Sequence, residues 1–252
     1  MSNKLSCRDG VYGSWDKAVE YLPKIGVKYI ETSFARSMAE VQKVAEGAAK
    51  QGAAILTLAG GVNLDKPEEV AKVIDAAKAA QKVGVKHIFL SAHGSAERKV
   101  CMGKLREIGE GAGACGVTIC LETHPPFCLN AADMLKTMAE VGHPYVRVNF
   151  DTANVYYYNK NMNSAKELEK VIPFVASMHL KDTDGGFKSG KFPVLGEGVV
   201  DFPRIFKTLK DANFDGPLTM ELEGDLMAGL NLDQRQEKVA ACVNYLRKIG
   251  AV

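Results

Sequence analysis

Short β-type runs alternate with helical patterns along the whole of this chain, and that rhythm limits the fold more than any other feature. The runs cover residues 4–8, 27–33, 53–59, 86–92, 117–122, 145–151, 174–181 and 217–223. Helical patterns fill the gaps: 15–25 after Ser14, 38–51 after Ser37, 67–84 after Asp65, then 97–114, 131–141, 165–172, 202–212 and 232–249. Ser or Asp before a helical pattern and Gly after it are the expected start and stop signals. A strand that returns through a helix to the next strand must run parallel to it. Eight such units in 252 residues match a closed α/β barrel, a (β/α)8 TIM barrel occupying residues 1–252 as one domain. The competing fold, an open doubly wound sheet, favours a glycine-rich first turn, and CRDGVYGS (7–14) does not read G-x-G-x-x-G.

Composition removes several functional classes. Lys and Arg number 32 against 30 Asp and Glu, a net charge of +2 with no long basic run, so no electrostatic footprint for nucleic acid is present. No stretch of about 20 apolar residues exists to span a membrane. The opening MSNKLSCRDG lacks the apolar segment of a signal peptide. Six scattered cysteines without a C-x-x-C pair read as reduced core thiols, consistent with a cytoplasmic protein. Nothing in the composition speaks against a homo-oligomer.

Strand alternation then locates chemistry. In a barrel one face of each strand meets the helices and the other faces the lumen, with functional groups at the C-terminal rim. On the fifth strand Val117, Ile119 and Leu121 face outward, leaving Thr118, Cys120 and Glu122 inward. The sixth sends Arg147, Asn149 and Asp151 inward, the seventh Ser177, His179 and Lys181, and the eighth Thr219, Glu221 and Glu223. Glu122, Asp151, His179 and Glu221 thus converge near four successive strand ends. Three carboxylates in one place resist ionising together, and a divalent cation removes the conflict. Carboxylate oxygens with one imidazole suit Mn2+, with Mg2+, Co2+ or Zn2+ as alternatives. Arg147, inward and below Asp151, needs an acid such as Glu31.

The segments CLETHP (120–125), NFDTANV (149–155), SMHLKD (177–182), LGEGVVDF (195–202) and LTMELEG (218–224) resemble the xylose isomerase-like TIM barrels. That superfamily includes sugar phosphate isomerases and epimerases, ketose 3-epimerases, hydroxypyruvate isomerases and inosose dehydratases. The resemblance implies a metal held by Glu122, Asp151, His179 and Glu221, with Glu122 and Glu221 also moving the proton. Glu223 becomes either a support for those ligands or a contact to a substrate hydroxyl. The implied activity is isomerisation or epimerisation of a sugar or sugar phosphate through an enediolate. A metal makes the C–H beside a carbonyl acidic, a carboxylate removes the proton, and its return decides the product. Loss of a β-hydroxyl from the same intermediate gives an inosose-type dehydratase, and return at the adjacent carbon a hydroxypyruvate-type isomerase. Lys181 is placed to stabilise the oxyanion, or else to pair with Glu197 or Asp182.

One position departs from the pattern. Where ketose 3-epimerases and abasic-site endonucleases of the superfamily carry a histidine three residues after the strand-six aspartate, this chain has Asn154. Asparagine bonds a sugar hydroxyl but is a poor zinc ligand, which counts against the endonuclease. A non-catalytic carbohydrate-binding barrel has no need of paired bases. His93 and His124 are candidate substrate contacts at the mouth. Tyr156, Tyr157 and Tyr158 either stack on a sugar or pack a loop. GGFKSGK (185–191) has phosphate-loop spacing, but Phe192 follows it where Ser or Thr is needed. It reads as a basic loop over the site, with Lys188 and Lys191 available to an anionic substrate group.

Overall fold

A computed structural model describes residues 4–252. Eight parallel strands close into a barrel in sequence order. They are β1 (Leu5–Arg8), β2 (Tyr29–Ser33), β3 (Ala54–Asn63), β4 (His87–His93), β5 (Thr118–Glu122), β6 (Val146–Asp151), β7 (Val175–Leu180) and β8 (Leu218–Met220). Closure is made by β1 against β8, with Leu5, Ser6 and Cys7 opposite Leu218, Thr219 and Met220. The helices are α1 (Trp15–Tyr21), α2 (Met38–Lys50), α3 (Pro67–Lys82), α4 (Arg98–Ala114), α5 (Ala131–Val141), α6 (Asn154–Tyr158), α7 (Ser164–Val171), α8 (Phe202–Asp211) and α9 (Leu232–Lys248). One core joins strand and helix faces, including the fully buried Ile30, Leu58, Ile88, Ile119, Phe150 and Phe202. All six cysteines are unpaired, five of them buried. Among the described residues no helix is long and apolar enough to cross a membrane.

Local differences from the sequence reading have physical causes. The third strand does not stop at Ala59: it runs on through Gly60 and Gly61, which pair with Leu90 and Ser91. The glycines serve a close approach rather than a turn, since a Cβ on Gly60 would stand 2.4 Å from the Phe34 ring. The eighth strand is shorter than expected, although the Glu221 N–H still donates to the Leu180 carbonyl at 3.1 Å. Asp65 does not cap α3, whose N-cap is Lys66. Its carboxylate instead accepts from the N–H groups of Ser95 and Ala96 at 2.7 and 3.1 Å, tying down the turn before α4. The tyrosine run forms the short helix α6 rather than a loop.

Candidate metal centre and active site

The site is assembled at the C-terminal ends of the strands. Asp151 closes β6, His179 lies one residue before the end of β7, and Glu221 follows β8 directly. One ligand-type atom from each lies within 4.8 Å of the other two, and all three residues are buried. His179 Nδ1 is 3.2 Å from Glu221 Oε2. Asp151 Oδ1 accepts the N–H groups of Ala153 and Asn154, both at 2.8 Å. Among the described residues its buried Oδ2 has no hydrogen-bond partner, and the Lys181 ammonium stands 3.3 Å away. A buried carboxylate oxygen left over in this way, beside an imidazole nitrogen and a second carboxylate, is a donor set suited to a divalent cation.

Two basic side chains thread through the acids. Lys181 is 3% exposed, and its Nζ lies 2.8 Å from Glu223 and 3.0 Å from Glu221. It pairs with those acids and Asp151, not with Glu197 or Asp182. Burial works against its charged form, but Asp151 and Glu223 outweigh that effect and hold its pKa above the ordinary lysine value. Arg8, from the end of β1, pairs with Glu221 and with Glu31, the latter at 3.3 Å. Glu31 is therefore not the partner of Arg147. The Arg147 guanidinium instead donates to the carbonyls of His143 and Val146, both at 2.9 Å. Burial disfavours the Glu31 carboxylate, but His179 and Arg8 more than offset it and hold its pKa below the usual glutamate range.

A cavity of about 570 Å³ opens above these groups. Glu122, Asn154, Lys181, Glu221 and Glu223 all line it, with Tyr157, Tyr158 and Phe192 as aromatic walls. Glu122 stands outside the tight three-residue group. Its Oε1 accepts from Asn154 Nδ2 at 3.3 Å, and Asn154 also donates to the Thr123 carbonyl at 3.1 Å. Tyr158 packs edge-on against His124 at 5.1 Å, and burial, with the charge of Glu122, pushes its hydroxyl up to about 12. His124 Nδ1 is buried without a hydrogen bond. His93 is exposed at the end of β4. It lies apart from the residues lining this cavity.

The loop after β7 covers one side. Gly190 and Phe192 line the cavity, and the Phe192 ring lies 5.0 Å from Lys181 Nζ. The Lys188 N–H donates to the Tyr157 carbonyl at 2.9 Å. Asp182 anchors the loop: its buried carboxylate accepts from the N–H groups of Gly196, Gly198 and Val200 at 2.8, 3.0 and 3.1 Å. This joins the two halves of the H-L-K-D and G-E-G-V-V-D pattern. Sequence reasoning missed Arg8 and this role of Asp182. Alternation would have found Arg8, two residues beyond the lumen-facing Ser6, whose hydroxyl meets Thr219 at 2.7 Å. No local signal marks Asp182, because its donors lie 14–18 residues further on.

Fold and site together define a TIM barrel whose C-terminal end carries a buried acid–histidine group able to hold a metal ion. The chain belongs to the xylose isomerase-like TIM barrel family, whose profile matches residues 19–249. It is 30% identical over 172 residues to an L-ribulose-5-phosphate 3-epimerase of Shigella flexneri serotype 5b, covering 65% of this chain and 57% of that one. It is 27% identical over 135 residues to an inosose dehydratase of Yersinia enterocolitica, covering 47% and 45% respectively. The matches thus span about half the length of these curated relatives. In fold it resembles a xylose isomerase domain protein from Planctomyces limnophilus, with a TM-score of 0.81 at 20% identity over 98% of this chain and 97% of that one. It also resembles a D-psicose 3-epimerase, with a TM-score of 0.78 at 17% identity over 99% and 100%.

Proposed function

We propose that the protein is a metal-dependent sugar or sugar-phosphate isomerase or epimerase, working in the cytoplasm on a small carbohydrate. The observation that carries this reading is the buried Asp151, His179 and Glu221 group at the C-terminal end of the barrel, beside a cavity lined by two further glutamates. Asp151, His179 and Glu221 would hold the ion, with Glu122 as fourth ligand, and the oxygen-rich set favours Mn2+ over Zn2+. A divalent ion there would supply Lewis acidity to a substrate carbonyl and make the adjacent C–H easier to deprotonate.

The chain's own groups supply the rest. Glu122 on β5 and Glu221 after β8 approach the cavity from separate strands, so one takes the proton and the other returns it to the opposite face. The Lys181 ammonium, which lines the cavity, would stabilise negative charge on the substrate oxygens. Asn154 and Glu223 line the cavity and would meet substrate hydroxyls. His124 reaches it only through its contact with Tyr158, and His93 is not among its lining residues. Tyr157, Tyr158 and Phe192 would exclude water from the sugar face. The inosose dehydratase match favours a second reading, in which the same proton abstraction is followed by loss of a β-hydroxyl.

Deuterium exchange tests the reading. Mn2+-loaded protein is incubated in D2O with ketoses, ketose 5-phosphates, inososes and hydroxypyruvate, and the C–H signals are followed by NMR. The expected result is metal-dependent loss of one C–H signal from a substrate, slowed at least about 100-fold in Glu122→Gln and in Glu221→Gln. No exchange with any substrate, or undiminished exchange in both variants, would contradict it.

A further inference from the structure

We propose that Glu31 is a positioning residue for His179. It holds the imidazole proton on Nε2, so that Nδ1 presents its lone pair toward Glu221 and the ion. The inference rests on the metal reading above and adds to it a fifth acid that is not itself a ligand.

Both Glu31 oxygens lie close to His179 Nε2, at 3.1 and 3.2 Å. On the other side of the ring Nδ1 faces Glu221. An imidazole has one proton to place when neutral, and the group that accepts it decides which nitrogen is left free. If the proton sat on Nδ1, it would point at Glu221 and block coordination there. Glu31 Oε2 is the hydrogen-bonding oxygen at Nε2, and Glu221 already shares its charge with Arg8 and Lys181, so the proton is better placed on Nε2. The Phe89 ring is stacked on the imidazole at 4.4 Å and 21°, which restrains rotation of the ring away from this alignment.

The cost of placing Glu31 where it is argues that the position is used. The side chain is 1% exposed, and a carboxylate taken that far from water is expensive unless paired. Pairing with Arg8 alone would not demand this depth, because Arg8 is 34% exposed and already has Glu221. The strand is also locally irregular at this point: the register of β2 against β3 shifts between Ile30 and Glu31. Such shifts re-aim a side chain, here into the lumen toward the strand that carries His179.

The test uses the full chain, stripped of metal and titrated with Mn2+ by calorimetry. Glu31→Gln keeps the shape but offers Nε2 an amide that can donate as well as accept, which allows the Nδ1–H tautomer. The expected result is Mn2+ binding weakened about 10–100-fold. Wild-type protein loaded with 113Cd2+ and labelled with 15N-histidine gives a second readout that needs no variant to fold. It should show metal coupling to His179 Nδ1 and a protonated Nε2. If the wild type binds Mn2+ and Glu31→Gln binds it equally well, the role of Glu31 is overturned while the metal site stands. Coupling to Nε2 would overturn it too. If the wild type binds no divalent ion, the metal reading falls first and the role of Glu31 with it.

Discussion

Lys181 contributes one positive charge to a place where Asp151, Glu221 and Glu223 contribute three negative ones. Adding Arg8, Glu31 and Glu122 still leaves the acids in excess, and that excess is the electrostatic reason to expect a cation. Away from the site, His87 opens β4 half-buried. Burial, helped by Lys4 and Lys86 and opposed by Asp215, lowers its pKa from 6.5 to about 4. Below pH 6.5 the unfolded chain takes up a proton that the folded chain refuses. Stability is therefore lost as pH falls from 6.5 toward 4, by on the order of 3 kcal/mol at most. Urea midpoints across that range should fall less steeply in His87→Gln than in the wild type; parallel curves would contradict this. At this scale alternation was enough to expect Asp151, His179 and Glu221 at one end of the barrel, where they cluster, whereas Glu122 lines the same cavity outside that group. Glu31 was misassigned to Arg147, because the order of inward residues along a strand does not say how deep each lies. The backbone carbonyls of His143 and Val146 satisfy Arg147 instead.

At the scale of elements, the loop between β7 and α8 has little regular structure, and Asp182 is the side chain that gathers most of its second half. Asp182 accepts three N–H groups from Gly196, Gly198 and Val200, and hydrogen bonds to a charged acceptor are the stronger kind. Gly198 has no room for a side chain, since a Cβ there would sit 2.3 Å from Asp182 Oδ1. Asp182→Asn should cost about 2–4 kcal/mol and speed hydrogen exchange at those three amides while the strand amides keep their protection. Unchanged exchange at Gly198 and Val200 would show that the loop is held by other contacts. Most strands and helices were legible in the sequence because their period is local, though the cap of α3 and the short helix α6 were not. The run of β3 through Gly60 and Gly61 was not, because only the nearby Phe34 ring reveals why glycine is needed there.

At the scale of the whole molecule, closure of eight strands in sequence order brings residues as far apart as Arg8, Glu31, Asp151, His179 and Glu221 to one end of one barrel. The barrel itself was legible from its strand–helix rhythm. The pairings across the lumen were not, because they depend on depth and side-chain direction rather than on sequence spacing. The central claim is that Asp151, His179 and Glu221 hold a divalent ion. Titration of metal-stripped protein with Mn2+, read by electron paramagnetic resonance of the free ion, tests it directly. One saturable site per chain is expected, weakened in Asp151→Asn by more than the about 10–100-fold that loss of a ligand's hydrogen-bond partner costs. No saturable uptake, or an isotherm that the Asp151→Asn substitution leaves unchanged, would contradict it.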